Sequence, residues 1–313
     1  MGLDIYVGTL TRYYKHNWKT VVQQMAERLG IKCNIIRAYE EIEVTIERVL
    51  SDTKNWEEQL LKSIFTNGEP FPPWTEDYDT TPYYTDKPDW DAIGALMMYV
   101  AYKFCKQPLP ETIPKNYDFF NDEYVKKAIL DEKLVFSLLQ GDGWWAPFDD
   151  TFMFHFPLMN GKEMYFGTSG LLKKELESIN KMEWKASEEE IIQWNKTEGY
   201  PTDMTIQSNK ITNNRNNDHD NNNNKEENNN DNECNNNNNT KKDKVNDGSN
   251  NNDTNKIKDN ENENSKNDPK WNIIKKNIHK EYNTISLAKF AFSIMWQAAN
   301  FSLKYRVPII YDS

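Results

Sequence analysis

Residues 152–176 read FMFHFPLMNGKEMYFGTSGLLKKEL, and the parsing of this stretch decides the fold. Two aromatic-rich runs, FMFHFPL and KEMYFGT, flank Met159-Asn160-Gly161. An Asn-Gly pair tolerates the positive φ angles of a tight turn, so the runs are expected to pair as an antiparallel hairpin. Ser169 follows at once as an expected helix cap, with a helix running to Trp184. Strand, turn, strand and helix in such close succession point to the α+β class.

The flanking segments are mixed in the same way. LDIYVG (3–8) places Leu3, Ile5 and Val7 on one face, which is strand periodicity. Over 18–29, Trp18, Val21, Val22, Met25, Ala26 and Leu29 recur at helical spacing, and Gly30 stops the helix. IKCNIIRA (31–38) is expected as a second strand. Residues 41–50 are ambiguous, since Ile42, Val44 and Ile46 alternate before Val49 and Leu50 break the alternation. A helix is expected over 55–65, with Trp56, Leu60, Leu61, Ile64 and Phe65 inward. The strongest helix is 89–105, capped by Asp89 and apolar around most of its circumference, so other elements must bury it. Residues 122–139 read as a further helical region, and Ser187 with Glu190 as a capping box. A long apolar helix over 283–305 and a last strand, VPIIYD, close the chain.

Composition changes abruptly over 208–270, which is about two-fifths asparagine and holds no aromatic residue. Such a segment cannot bury enough apolar area to offset an ordering cost of ~1–2 kcal/mol per residue, so a disordered insertion is expected. The piece after it, 271–313, is too short to hold a core alone and must dock on 1–207. The expectation is a single discontinuous α+β domain, helices packed on a mixed or antiparallel sheet.

Lys and Arg number 38 against 49 Asp and Glu, a net charge of -11, which disfavours a nucleic-acid binder or adsorption to anionic membranes. The apolar runs are too short or interrupted to span a bilayer. MGLDIYVG has no basic region followed by an apolar one, and Tyr6 stands where a myristoylation motif needs Ser or Thr. Cys33, Cys105 and Cys234 are scattered, odd in number and without a CxxC pair. A cytoplasmic location is therefore expected.

Three stretches combine rings with charge. GDGWWAPFDD (141–150) sets Trp144 and Trp145 beside Asp149 and Asp150. Indole faces stack on sugars and bases while carboxylates bind hydroxyls; the competing reading is the edge of a core, and it is the stronger. YDTTPYYTDKPDWDAIG (78–94) carries Tyr83, Tyr84, Asp86, Trp90 and Asp91 ahead of the buried helix. Its Asp89-Trp90-Asp91, like Asp77-Tyr78-Asp79, spells DxD, a common and weak cation motif; Asp89 is read as a helix cap and no metal site is assigned. TLTRYYKHNW (9–18) offers Arg12, either for an anionic ligand group or paired with one of these aspartates. FGTSGLL is neither a P-loop nor GxGxxG, and HExxH, zinc spacings and GxSxG are missing, so no cofactor is implied.

MGLDIYVGTLTRYY together with PYYTDKPDWDAIGAL, the FxFxFP hairpin, FGTSGLLKKEL and the closing apolar helix resembles an uncharacterised, mainly bacterial family. The resemblance spans nearly all of the chain outside the Asn-rich segment. It implies one continuous domain and brings no activity, ligand or catalytic residue with it. The residues themselves favour a binding module whose aromatic–acidic loops recognise a protein or a small polar ligand. The alternative is a carboxylate-dependent hydrolase or transferase acting on a sugar- or nucleotide-like substrate through Asp86, Asp91, Asp149 or Asp150.

Overall fold

The computed structural model describes residues 2–32, 44–66, 70–131, 133–201 and 281–313. The expected insertion over 208–270, all but the first two residues of the strand expected over 31–38, Cys33 and Cys234 lie outside these residues. Met1–Asp203 and Asn277–Ser313 form one compact unit, so the pieces on either side of the Asn-rich segment belong together.

In chain order the described elements begin with β1 (Asp4–Val7), α1 (Leu10–Tyr14), α2 (Val21–Arg28), α3 (Ile46–Ile64), β2 (Tyr84–Asp86) and α4 (Asp89–Phe104). There follow β3 (Thr112–Pro114), α5 (Glu123–Ile129), α6 (Ser137–Gln140), β4 (Trp144–Ala146), β5 (Met153–Pro157), β6 (Glu163–Thr168) and α7 (Ser169–Ile179). The last are α8 (Glu188–Thr197), β7 (Glu281–Asn283), α9 (Thr284–Tyr305) and β8 (Ile309–Asp312). Six strands form a mixed sheet in the order β2-β1-β8-β4-β6-β5, antiparallel except for the parallel β4–β6 pair. The α+β class with helices on a mixed sheet is thus the architecture of the described chain.

The hairpin expected around Asn160-Gly161 is β5–β6, in register from Met153 opposite Gly167 to Pro157 opposite Glu163, and Gly161 takes a φ of 81°. The closing helix is α9, whose cap Asn283 accepts from Ser286 N at 2.8 Å. Residues Ala92 to Tyr102 of α4 are all buried, α4 packs along α9, and both are covered by neighbours around most of their surface. That burial, rather than lipid, accounts for their apolarity; no helix among the described residues is long and apolar enough to cross a membrane.

The central strands β1, β8 and β4 are buried on both faces, while the β5–β6 edge leaves His155 and Tyr165 exposed. Leu3, Ile5 and Val7 join the cluster formed with α4 and α9, while Tyr6 joins a second cluster with Trp56, Leu60 and Phe148. Ile309 and Ile310 of β8 divide in the same way. A strand covered on both faces loses the alternation that marks one buried face, which is why the second layer left no period-two signal.

Several local expectations are corrected. α3 begins at Ile46, well before 55, because Thr45 caps it through Arg48 N at 3.4 Å. α2 begins at Val21 behind a Thr20/Gln23 capping box rather than at Trp18, and its Val22, Met25 and Leu29 are exposed, not buried. The cap of α7 is Thr168, which accepts from Leu171 N at 3.1 Å; Ser169 instead hydrogen-bonds Ser302 of α9 at 2.6 Å inside the core. The continuation from Asn180 to Trp184 is a π-helical turn. Region 122–139 divides into α5 and α6, while the Ser187/Glu190 capping box of α8 forms as expected.

Candidate ligand-binding pocket

The start of α4 carries Asp89-Trp90-Asp91, and this is where ring and charge come together. Asp89 does not cap the helix. It adopts a φ of 56°, a conformation that short polar side chains tolerate, and its Oδ1 accepts from Leu3 N at 3.3 Å. Lys87 Nζ pairs with the same oxygen at 3.0 Å and approaches Asp4 at 3.7 Å. This clamp ties the amino end of α4 to β1 and fixes where Trp90 and Asp91 project.

Around that end lies a cavity of about 480 Å3 bounded by Asp89, Trp90, Asp91, Tyr117, Tyr200 and Tyr282. All four rings are partly buried, and each is held from behind. Trp90 stacks on Phe119 with centroids 6.4 Å apart and meets Tyr311 edge-on at 6.2 Å. Tyr117 donates to Asp122 at 3.1 Å, and Tyr200 donates to the Pro88 carbonyl at 2.9 Å. Tyr200 and Tyr282 meet at 5.2 Å, almost perpendicular at 89°. Asp91 Oδ1 accepts from Asn116 N at 3.0 Å, yet partial burial still pushes the Asp91 carboxyl above its usual range, with Asp89 adding to the effect. Burial first, and then Asp89 and Asp91, likewise raise the pKa of Tyr200; for Tyr282 the order is burial, Asp91, Asp89. Two carboxylates therefore act on the rings that enclose the same space, with Lys115 at the rim.

Of the ten residues singled out in the sequence, Trp90 and Asp91 line this pocket and the other eight do not. Trp144 and Trp145 are core residues, 6% and 1% exposed, and as neighbours on β4 they face opposite sides of the sheet. GDGWWAPFDD is a core edge. Asp149 is exposed and pairs with Arg306 at 2.7 Å, while Asp150 is exposed and takes the Thr168 hydroxyl on its backbone carbonyl. Trp145 and Trp90 both pack on the partly buried Tyr311, but no described cavity is lined by residues of both stretches.

Arg12 lines a separate cleft together with Tyr83 and Trp18, and the aspartate pairing expected of it is not among its described hydrogen bonds. Its guanidinium donates to the carbonyls of Thr81, at 2.8 Å, and Tyr78, and lies 5.0 Å from the Tyr83 ring centroid. Its described hydrogen bonds go to backbone rather than to aspartate, and they fasten the loop before β2. Tyr84 donates to Asp86 at 3.0 Å, and Asp86 also accepts from Lys87 N at 2.8 Å and Asn195 Nδ2 at 2.7 Å. Asp86 is a loop-fastening carboxylate.

A separate cleft of about 710 Å3 holds carboxylates that the sequence did not mark as a pair, Glu57 and Glu76, beside Trp74 and Tyr78. Glu76 is buried and accepts four hydrogen bonds. Leu10 N and Trp74 Nε1 reach Oε1 at 3.0 Å, while Thr11 N and Thr11 Oγ1 reach Oε2 at 2.8 Å. Burial raises its pKa and these donors pull it back. Glu57 is raised to about 7, by burial first and by Glu76 second. Among the described residues no group of three or more His, Cys, Asp or Glu side chains is placed to hold a metal ion.

Tyr117, Tyr200 and Tyr282 left no sequence signal. Each is a single tyrosine in a polar segment far from the others in the chain, and only the fold assembles them. No protein-family model matches the chain, and neither a curated protein nor a solved structure matches it.

Proposed function

We propose that the chain is a binding module whose pocket at the start of α4 receives a cationic ammonium group, carried by a protein or by a small polar ligand. One observation carries this reading: four aromatic rings and two carboxylates enclose a single cavity of about 480 Å3. A cation over an aromatic face gains ~0.5–2 kcal/mol, the larger value where water is excluded, and a quaternary ammonium suits such a cage best because it needs no hydrogen bonds. Asp91 supplies the countercharge, because Asp89 is already paired with Lys87. The test is a titration of the full chain with choline and with the alcohol in which carbon replaces the quaternary nitrogen, followed by chemical shifts of the Trp90 indole. Choline is expected to bind and its neutral analogue to bind much more weakly, and Asp91→Asn to weaken choline alone. Equal binding of the two, or none, would overturn the reading.

The second reading, a carboxylate-dependent hydrolase or transferase, draws support from a different place. Glu57, with a pKa raised to about 7, sits in one cleft with the donor-held Glu76, an arrangement suited to a proton-transferring acid beside a fixed carboxylate. It moves the candidate catalytic pair away from Asp86, Asp91, Asp149 and Asp150. Turnover of a chromogenic glycoside or phosphodiester panel, abolished by Glu57→Gln and with a pH profile bending near neutrality, would carry it; a full panel without turnover would remove it.

A further inference from the structure

α1 is a short helical turn directly after β1, capped by Thr9, whose hydroxyl accepts from Arg12 N at 3.4 Å. His16 then takes a φ of 53° and turns the chain, so that Trp18 packs back on Tyr6 and Tyr13 with centroids 4.9 and 6.2 Å apart. Tyr83, on the loop that Arg12 fastens, stacks on the same Tyr6 at 6.2 Å. These residues border a cleft of about 760 Å3, together with Lys19, Glu27 and Lys32 from either end of α2. It shares no residue with the ammonium pocket.

Arg12 is 8% exposed, and no carboxylate pairs with it among the described residues. A buried cation is costly unless its charge and its donors are compensated. The Thr81 and Tyr78 carbonyls take two of its five N–H donors, and the other three have no acceptor among the described residues. One of the three is the Nε–H. Nε is neither hydrogen-bonded nor sealed from solvent, so it opens on the cleft that Arg12 borders. The two carbonyls and the Tyr83 ring, 5.0 Å away, hold the planar fork in place beforehand. A guanidinium fork matches the oxygens of a phosphate.

The cleft also reverses the sign of the chain. Against a net charge of -11 overall, it is bordered by Arg12, Lys19 and Lys32 and by one carboxylate, Glu27. Glu27 pairs with Lys19 at 2.7 Å on the exposed rim, where such a pair contributes little. Lys32 is exposed and has no partner among the described residues. Positive charge running from a buried guanidinium to an exposed ammonium suits a doubly charged anion. The Trp18 and Tyr83 rings, both partly buried and backed by Tyr6, give the same cleft a rigid aromatic surface.

We propose that this cleft binds a phosphate monoester carrying an aromatic ring, of the size of a mononucleotide, with the phosphate on Arg12 and Lys32 and the ring against Trp18 and Tyr83. The site rests on neither the ammonium pocket nor the Glu57 cleft.

The test titrates the full chain calorimetrically with adenosine 5′-monophosphate, adenosine and inorganic phosphate at one ionic strength. The monophosphate is expected to bind at least about tenfold more tightly than either of the others, because only it engages both the cations and the rings. Lys32→Glu, at an exposed position, should melt with the wild type and weaken the monophosphate about five- to tenfold while leaving adenosine unchanged. Glu27→Gln removes the carboxylate of the cleft and frees Lys19, and should tighten the monophosphate about two- to threefold. Arg12→Lys keeps the charge without the fork and should weaken it about tenfold or more. If Arg12→Lys does not fold, Lys32→Glu and Glu27→Gln decide alone. Asp91→Asn should change none of these affinities. The proposal fails if the monophosphate does not bind, if adenosine or inorganic phosphate binds as tightly, or if Lys32→Glu and Glu27→Gln both leave its affinity unchanged.

Discussion

Ser137 Oγ donates to Glu175 Oε2 at 2.8 Å across 38 positions of chain, and the same hydroxyl accepts from Trp145 Nε1 at 2.8 Å. Ser137 N and, at 3.3 Å, Leu138 N also donate to the Glu175 carboxyl. A carboxyl on α7 thus satisfies the first donors of α6, a task usually left to a neighbouring residue. Through Ser137 it also fixes the indole of β4.

Burial raises the Glu175 pKa from 4.5 to about 8, against the pull of its three donors. The native state therefore retains a proton that the unfolded chain releases above about pH 4.5. Stability from this group is full below the unfolded pKa and is lost as pH rises towards about 8. Urea unfolding should show a fall on the order of 2–4 kcal/mol between about pH 5 and 8.5. Glu57, raised to about 7, contributes a smaller fall of the same sign. Glu175→Gln should remove most of the slope; a variant as steep as the wild type would refute the assignment.

Trp144→Ala and Trp145→Ala should each cost about 3–5 kcal/mol, the range for emptying a large aromatic site. Both residues are buried, on opposite faces of one sheet. Trp145→Ala also leaves the Ser137 hydroxyl without its donor. Neither substitution should change the relative affinity for choline and its neutral analogue once the protein is folded. A nearly unaltered urea midpoint for either would return GDGWWAPFDD to the ligand-site reading.

Two glycines separate crowding from backbone strain. A Cβ at Gly170 would lie 2.1 Å from the Asp149 carbonyl oxygen, where the opposing atom is backbone. Gly170→Ala should cost about 1–3 kcal/mol or more. Gly161 has a φ of 81° and open space around it, so Gly161→Ala should lose only about 1 kcal/mol. Thermal melts of the pair should rank them in that order, and the reverse order would contradict the packing of α7 against the loop before β5.

Asp122 is the cap of α5 and accepts four hydrogen bonds, from Tyr124 N at 2.9 Å, Val125 N at 3.1 Å, the Tyr102 hydroxyl at 2.9 Å and the Tyr117 hydroxyl at 3.1 Å. Asp122→Asn turns one acceptor into a donor facing donors and should cost about 1–3 kcal/mol. Because Tyr117 is also a wall of the ammonium pocket, the same variant should weaken choline binding modestly while the protein stays folded. Unchanged choline affinity would show that the Tyr117 ring does not need Asp122 to hold its place.

Local elements were legible where a short-range signal had no competitor. Asn160-Gly161 determined the hairpin, Ser187 with Glu190 the start of α8, and the apolarity of 89–105 and 283–305 announced two buried helices. Signals misled where two adjacent residues qualified for one role. Thr168 and Ser169 both suit a cap, and only the approach of Ser302 from α9 draws Ser169 into the core. Asp89 likewise lost the capping role to its contacts with Leu3 and Lys87.

By itself the sequence determined the class of the fold and the places where the backbone turns, caps and hides, because those properties follow from residues within a few positions of one another. Only the tertiary structure decided that Trp144 and Trp145 face opposite layers, because nothing local tells a strand that its second face will also be covered. It likewise decided that Trp90 and Asp91 share a pocket with Tyr117, Tyr200 and Tyr282. Those side chains meet because α4 and β7 pack where they do, and that geometry is a property of the folded whole.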